Sequence, residues 1–214
     1  MNSIGTSTSD VKIDRCAERR EEILEAATQL FATQGYAETD TQQLADKLGV
    51  GKGTLYRYFP SKRELFLAAA DRGMRKLCAS IDASVEPIED PPERIAQVVR
   101  SYLTFFAEHP QLCELLIHER ALFKDRKKPT YIEHREAHRE RLRLLYRSYI
   151  AEGQIRDIPV DQLLDVLGDL LYGTMFTNYF CNRQTSVEEQ TQGILNIFFH
   201  GILNDVGRQR RPAE

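Results

Sequence analysis

The stretch from Thr39 to Phe66, TDTQQLADKLGVGKGTLYRYFPSKRELF, constrains the fold of this 214-residue chain more than any other segment. It predicts a short helix ending near Gly49, then a second short helix of small and aromatic residues that stops before Pro60. Glycine permits the left-handed backbone conformation that such a turn requires, and proline disfavours helix in the residue before it. This order of elements is typical of a helix-turn-helix, whose second helix enters the DNA major groove.

Helical periodicity extends over almost the whole sequence, and no strand-like alternation persists anywhere. Asp40 with Gln43, and Ser61 with Glu64, have the spacing of capping boxes and predict the starts of helices two and four. Gly35 is expected to close helix one. Further helical patterns are centred on residues 95–108, 111–123, 129–153, 160–182 and 187–206. The prediction is an all-α fold with an N-terminal three-helix helix-turn-helix domain, joined through helix four to a larger helical body.

The domain organisation follows from these elements. We expect a disordered tail over residues 1–14, a helix-turn-helix domain over 15–60, a larger helical domain over 61–206, and a basic tail over 207–214. The segment EPIEDPPER, residues 86–94, is predicted to be a linker, because three prolines in six residues disfavour a helix.

Composition narrows the class of protein. Hydrophobic residues at 42% and charged residues at 29% are typical of a soluble globular protein, and no run of eighteen apolar residues predicts a membrane span. The start lacks the pattern of a secretory signal, and the four cysteines are widely spaced without a CxxC pair. These features predict a cytoplasmic protein with no disulfide framework, no metal and no cofactor.

Charge gives only local support for a nucleic-acid partner. The net charge of the chain is −3, but residues 49–63 contain four basic residues and no acidic one. Lys52, Gly53 and Thr54 should open the recognition helix, where they can reach base edges. Tyr56, Arg57, Tyr58 and Lys62 carry hydroxyl groups or charges suited to phosphate oxygens. Leu55 and Phe59 are expected to be core residues instead.

The run LADKLGVGKGTLYRYFPSKRELF closely resembles the helix-turn-helix of the tetracycline-repressor (TetR) family of bacterial transcription regulators, and the specific resemblance covers roughly Arg15 to Ala70. It implies that eight residues lie at the DNA surface, namely Gln42, Lys52, Gly53, Thr54, Tyr56, Arg57, Tyr58 and Lys62. Gly51 departs from the family pattern, where a polar capping residue is common. The resemblance also implies that the helical domain over 61–206 is a ligand-binding (effector-binding) and dimerisation domain. Its C-terminal helices would bind a small effector and form a homodimer, the last two helices making an intersubunit four-helix bundle.

The sequence supports the dimer independently, because leucines cover more than one face of the helix over 160–182 and isoleucines and phenylalanines do so over 187–206. Two internal core helices of a monomer remain an alternative. Aromatic and apolar residues of the body suit a partly hydrophobic effector. The candidate pocket residues are Tyr102, Phe105, Phe106, Leu116, Phe123, Tyr131, Tyr146, Tyr172 and Phe176.

The predicted function is therefore a DNA-binding regulator, not an enzyme, most simply a repressor released from its operator by a small effector acting through helix four. One alternative is a redox- or metal-sensing regulator of the same fold, and another is a helical enzyme using histidine and carboxylate groups. His134 and His138 share a helix face at a spacing that suits a metal, although their surroundings are highly charged and favour a solvated face.

Overall fold

A computed structural model describes residues 8–202 of the chain, with side chains from residue 15 onward. Within that range the chain forms only α-helices, which confirms the all-α prediction. None of these helices is long and apolar enough to cross a membrane. The helices are α1 (Thr8–Glu38), α2 (Thr41–Lys47), α3 (Lys52–Tyr58), α4 (Lys62–Val85), α5 (Pro91–Glu108), α6 (Pro110–Leu122), α7 (Thr130–Ala151), α8 (Val160–Cys181) and α9 (Val187–His200).

The start of α1 differs from the prediction, whereas its end agrees with it. Helix α1 already begins at Thr8, so residues 8–14 of the predicted disordered tail are helical; they extend the run of helix-forming residues that follows them. Residues 1–7 and the predicted basic tail over 207–214 lie outside the described residues. Gly35 interrupts α1 with a φ of 79°, which confirms that the regular helix ends there.

The predicted linker is shorter than the proline pattern suggested. Only residues 86–90 separate α4 from α5, because Pro91 and Pro92 form the first turn of α5. Proline is tolerated in a first turn, since its missing N–H would have no helical acceptor there. The Asp90 side chain supports this start by accepting a hydrogen bond from the Glu93 backbone N–H at 3.0 Å.

The chain packs as two units. The first unit contains residues 8–76 and 109–140, and the second contains residues 77–108 and 141–202. Helices α4 and α7 each contribute to both units. The predicted boundary after residue 60 lies inside the first unit, which therefore combines the helix-turn-helix with α6 and with parts of α4 and α7.

Aromatic side chains from three helices and two connections form the core of the first unit. The Phe31 and Phe66 rings lie 5.0 Å apart, and Phe123 lies 5.1 Å from Tyr36 and 5.4 Å from Phe66, all three pairs in edge-to-face geometry. Such pairs contribute about 0.5–1.5 kcal/mol beyond burial of their area. Leu115 of α6 is fully buried in the same cluster, so α6 is an integral part of the DNA-binding half of the molecule.

In the second unit, α5 packs against α8 and α9. One face of α5 is buried, and its Tyr102 hydroxyl donates to the Met175 sulfur of α8 at 3.6 Å. Helix α9 begins with a complete capping box, in which Ser186 and Glu189 satisfy each other's backbone N–H groups. Arg100 of α5 pairs with Glu188 at 3.1 Å and connects the two helices at their surface.

Candidate nucleic-acid interface

The angle between α2 and α3 is fixed by a small apolar seam. Leu44, Ala45 and Leu55 are buried between the helices and the unit's core. Gly49 has a φ of 64°, and the Val50 N–H donates to the Ala45 carbonyl at 2.9 Å. Because an L side chain at that φ is strained, the glycine is required for the chain to turn from one helix into the next.

The start of α2 is capped as predicted, but with a different partner for Gln43. The Asp40 side chain accepts from the Gln42 N–H at 2.8 Å, which confirms Asp40 as the N-cap. The reciprocal half of the capping box is absent from the described contacts, because the Gln43 side chain instead accepts from Gln34 of α1 at 3.1 Å. The predicted capping box at this helix is therefore wrong, since a tertiary contact competes for Gln43.

The first residues of α3 form an open surface. Gly51 is the N-cap and provides no side-chain hydrogen bond. Lys52 and Gly53 are exposed, Thr54 is half-buried, and a Cβ placed on Gly53 would meet no atom of the described chain within 4 Å. Backbone can therefore be approached closely at Gly53 from outside the protein.

Further along α3, Tyr56 and Arg57 lie at the surface, whereas Leu55 and Phe59 on either side of them are buried. Tyr56 is exposed, and its hydroxyl lies 3.1 Å from the Thr41 hydroxyl at the start of α2. Arg57 is exposed, with its guanidinium 5.7 Å from the Tyr58 ring centroid. Tyr58 is half-buried and packs against the core, while Leu55 and Phe59 are 1% and 4% exposed, which confirms them as core residues.

Two candidate contact residues also hold the frame. The Gln42 side chain donates to Asp46 at 2.7 Å. Lys62 donates to the Ala37 carbonyl at 3.0 Å, and its ammonium lies 4.8 Å from the centroid of the Tyr36 ring. Lys62 therefore ties the first turn of α4 to the end of α1, a structural role that its position in the sequence did not suggest. A lysine ammonium has three donors, so one carbonyl leaves further donors for a phosphate.

An ion-pair clamp, which sequence reasoning missed, connects α4 to α1 behind this surface. Arg72 is 9% exposed and binds Glu21 at 2.6 Å and Glu25 at 2.7 Å. Partial burial of Glu25 acts to raise its pKa, but the hydrogen bond and charge of Arg72 outweigh burial and hold that pKa below its ordinary value. Arg72 thus pairs with two acidic residues of α1. A third acidic residue of the first unit, Asp40, pairs with Lys52 at 3.7 Å.

The candidate pocket residues do not form a single group in the structure. Leu116, Phe123 and Tyr131 belong to the first unit, and the other six belong to the second. Phe123 is a core residue of the first unit. A cleft of about 740 Å³ in the second unit has a different, mainly apolar lining. The residues that line it are Pro92, Ile95, Gln154, Ile155, Arg156, Ile158, Gln162, Leu163, Val166, Leu170, Ile197, Phe198 and Phe199.

The two histidines of the metal alternative are engaged by other groups. His134 Nε2 lies 2.8 Å from an Asp71 carboxylate oxygen, and His138 Nδ1 lies 2.8 Å from the His134 carbonyl. Among residues 15–202, no three histidine, cysteine or acidic side chains are grouped so as to hold a metal ion.

Comparison with known proteins places this arrangement in a family. The family model described as "Bacterial regulatory proteins, tetR family" matches residues 23–69, which span the interface described above. The family model described as "Tetracyclin repressor-like, C-terminal domain" matches residues 89–171. The nucleoid occlusion factor SlmA of Vibrio atlanticus (strain LGP32) is 30% identical over 152 residues, which are 69% of this chain and 76% of SlmA.

Solved structures agree on the fold. FadR from Bacillus subtilis, in complex with stearoyl-CoA, is similar with a TM-score of 0.71 at 18% identity, covering 86% of this chain and 99% of FadR. AibR, in complex with isovaleryl coenzyme A and operator DNA, is similar with a TM-score of 0.62 at 20% identity, covering 84% of this chain and 97% of AibR. The sequence matches reach from the helix-turn-helix into the body, beyond the segment that carries the resemblance. The chain belongs to the tetR family of bacterial regulatory proteins.

Proposed function

We propose that the protein is a ligand-responsive DNA-binding transcriptional regulator, and that it acts as a repressor released from its operator by a small effector. The observation that carries this proposal is the surface of α3, where Lys52, Gly53 and Arg57 are exposed on a helix without acidic residues. The turn at Gly49 and the seam beneath hold that surface in one geometry. Such a regulator works in the cytoplasm, where the DNA is.

The roles of the contact residues follow from their positions. Lys52, Gly53 and Thr54, at the N-terminal end of α3, face base edges in this proposal. Tyr56, Arg57, Tyr58 and Lys62 contact phosphates, which position the protein without reading sequence. Gln42, at the start of α2, contacts DNA beside them.

Selection of bound sites from random DNA, followed by fluorescence anisotropy on the recovered site, tests the proposal. Arg57→Gln should weaken binding about fivefold per protomer near 0.15 M salt, because the loss of one phosphate contact reduces the magnitude of the salt slope by about 0.9. Arg183→Gln is the matched control, since Arg183 is an exposed arginine of the second unit. Thr54→Ala should change the preferred bases instead. Equal affinities for all three variants and the wild type would contradict the assignment.

The proposed dimer uses α8 and α9. These helices expose large apolar side chains in the single chain, including Val166 at 54%, Leu170 at 40% and Ile197 at 59%. A Cβ on Gly173 or Gly193 would meet no described atom within 4 Å, so a second backbone can approach closely. Two half-sites one helical turn apart require two recognition helices, which gives the dimer its function.

Size-exclusion chromatography with light scattering tests this interface. Leu170→Asp and Ile197→Asp should each give monomers, because a charge would be buried among apolar groups. Leu144→Asp is the matched control, since Leu144 is a 59% exposed leucine on α7. A dimer that persists in both α8 and α9 variants would exclude these helices as the interface.

For the effector we propose a partly hydrophobic acyl-CoA thioester, bound within the second unit by the candidate pocket residues that lie there, which are Tyr102, Phe105, Phe106, Tyr146, Tyr172 and Phe176. The support is the ligands named for the FadR and AibR structures, stearoyl-CoA and isovaleryl coenzyme A. Acyl-CoAs of graded chain length should release the labelled operator, whereas coenzyme A alone should not. Release by free coenzyme A, or by no chain length, would contradict this choice of ligand.

The other predicted alternatives have less support. Burial raises the pKa of the Cys113 thiol to about 12, which keeps it protonated and unreactive at neutral pH and argues against Cys113 as a redox sensor. The relatives found are regulatory proteins and a nucleoid occlusion factor, and these indicate a non-enzymatic regulator.

A further inference from the structure

The connection between α6 and α7 carries a concentration of positive charge that the proposed function does not use. Residues 123–128 read FKDRKK, with four basic residues and one acidic residue. This connection belongs to the first unit, together with the helix-turn-helix. A run of charge is often only a solvated surface, so the packing of the connection decides whether it has a defined position.

One end of the connection is fixed to the first turn of α4. Asp125 pairs with Arg63 at 2.5 Å, and the Arg63 guanidinium lies 4.9 Å from the centroid of the Phe123 ring. Phe123 is only 6% exposed and belongs to the aromatic core that includes Tyr36 and Phe66. Arg63 directly follows Lys62, a candidate phosphate contact. The connection is therefore attached next to the DNA-facing end of α4.

The other end is fixed by Arg126. Its guanidinium binds the buried Glu119 carboxylate, donates to the Thr130 hydroxyl at 2.9 Å, and pairs with Glu133 at 2.6 Å. Arg126 and Asp125 thus use their charges internally. Lys124 directly precedes Asp125 and Lys127 directly follows Arg126, so both lysines are carried by backbone next to an anchored residue.

Two of the three lysines in the connection are exposed and form no ion pair with the described residues. Lys124 and Lys127 are exposed, and neither has an acidic partner within 4 Å among the described residues. Lys128, in contrast, pairs with Glu136. Two lysines without an ion pair to a described residue therefore flank Asp125 and Arg126 in the sequence, and Asp125 is attached to Arg63 in the first turn of α4.

We infer that the α6–α7 connection is a second DNA-contacting element, in which Lys124 and Lys127 bind backbone phosphates beside the segment read by α3. The inference rests on the proposed DNA-binding function. Exposed lysines suit an extended polyanion, because phosphates along a duplex neutralise point charges and release counterions without a pocket. A small acidic ligand would instead require concave burial to gain comparable affinity.

The test compares Lys124→Gln/Lys127→Gln with Arg147→Gln/Arg183→Gln in the full-length protein. The control removes the same charge from two exposed arginines of the second unit. Operator affinity is measured by anisotropy at several salt concentrations. Loss of two phosphate contacts should lower the salt slope by about 1.8 and weaken binding about 30-fold per protomer near 0.15 M salt. The control should keep the slope of the wild type.

Hydroxyl-radical footprinting locates the contact. The wild-type protein should protect backbone positions that become cleavable with the lysine variant, while protection over the site read by α3 persists. Shortening the operator until it contains only the site read by α3 should remove the difference in affinity between the lysine variant and the wild type. A variant that matches the control in slope and footprint would overturn the inference, as would a variant that binds DNA normally but responds differently to the effector.

The two proposals fail in distinguishable ways. Wild-type protein that selects no DNA would remove the proposed function itself. Wild-type protein that binds a selected site, with Arg57→Gln weakened and the lysine variant unchanged, would remove only the role of the α6–α7 connection.

Discussion

Glu119 of α6 is a buried carboxylate whose replacement should expose how the first unit is stabilised. The side chain is 1% exposed, and its Oε1 accepts hydrogen bonds from the Thr130 N–H at 2.9 Å, the Thr130 hydroxyl at 3.0 Å and the Arg126 guanidinium. Its other oxygen, Oε2, is buried with no hydrogen-bond partner among the described residues. One carboxylate oxygen therefore holds together the end of α6, the connection and the start of α7.

Glu119→Gln keeps an oxygen for Thr130 but removes the charge that pairs with Arg126. Breaking a fully buried ion pair costs about 3–5 kcal/mol, and a hydrogen bond to a charged group contributes about 1.5–3 kcal/mol. Arg126 retains Glu133 and some contact with solvent, so the smaller range applies. For a chain of this size, a loss of about 1.5–3 kcal/mol should lower Tm by about 3–12 °C.

Glu133→Gln is a matched control, because it removes the other carboxylate from the same arginine. The Glu133 side chain is 50% exposed, and exposed pairs contribute about 0–1 kcal/mol. Thermal unfolding followed by circular dichroism gives both values under identical conditions. Equal Tm values for the two variants would refute the argument that burial, and not the ion pair alone, makes Glu119 important.

Three further results are expected from the packing. Gly73→Ala should destabilise the protein by about 1–3 kcal/mol in urea unfolding, because its Cβ would lie 2.5 Å from Leu112 Cδ1; an unchanged midpoint would show that Leu112 moves aside freely. Burial raises the pKa of Tyr146 from 10.0 to about 12, so the stability due to its neutral form should be complete below pH 10 and lost as pH rises through about 12. Tyr146→Phe should abolish that pH dependence, and a Phe variant with the wild-type profile would assign the titration elsewhere. Cys113 should resist alkylation at neutral pH until the protein is denatured, whereas rapid labelling of the native protein would contradict its burial.

The sequence was most informative where a local rule determines the conformation. Gly49 was expected to adopt a left-handed turn and does so, because few other residues tolerate that conformation. The predictions for Gly35 and Asp40 were confirmed for the same reason, since a helix end depends on one or two neighbours. The prolines of the linker led to a predicted start of α5 that was too late in the sequence. The reason is that proline disrupts the interior of a helix but fits its first turn.

Interactions between distant segments were not visible in the sequence. The pairing of Lys62 with Ala37, of Arg72 with α1, and of Arg126 with Glu119 depends on which helices pack together, and no local pattern encodes that choice. The predicted pocket residues illustrate the same limit. Aromatic spacing identifies a buried helix face but not the unit to which it belongs, and these residues are divided between both units.

The hydrogen bonds and the ion pair that the candidate contact residues form with their neighbours have a consequence for the entropy of DNA binding. Gln42, Lys52, Tyr56 and Lys62 are each already held by a neighbour in the free protein. Ordering a flexible side chain at an interface costs about 0.5–1.5 kcal/mol, and part of that loss has occurred here during folding. The surface therefore meets its partner with restricted rotamers, and substitutions of the neighbours that restrain them should weaken binding without removing a single contact to DNA.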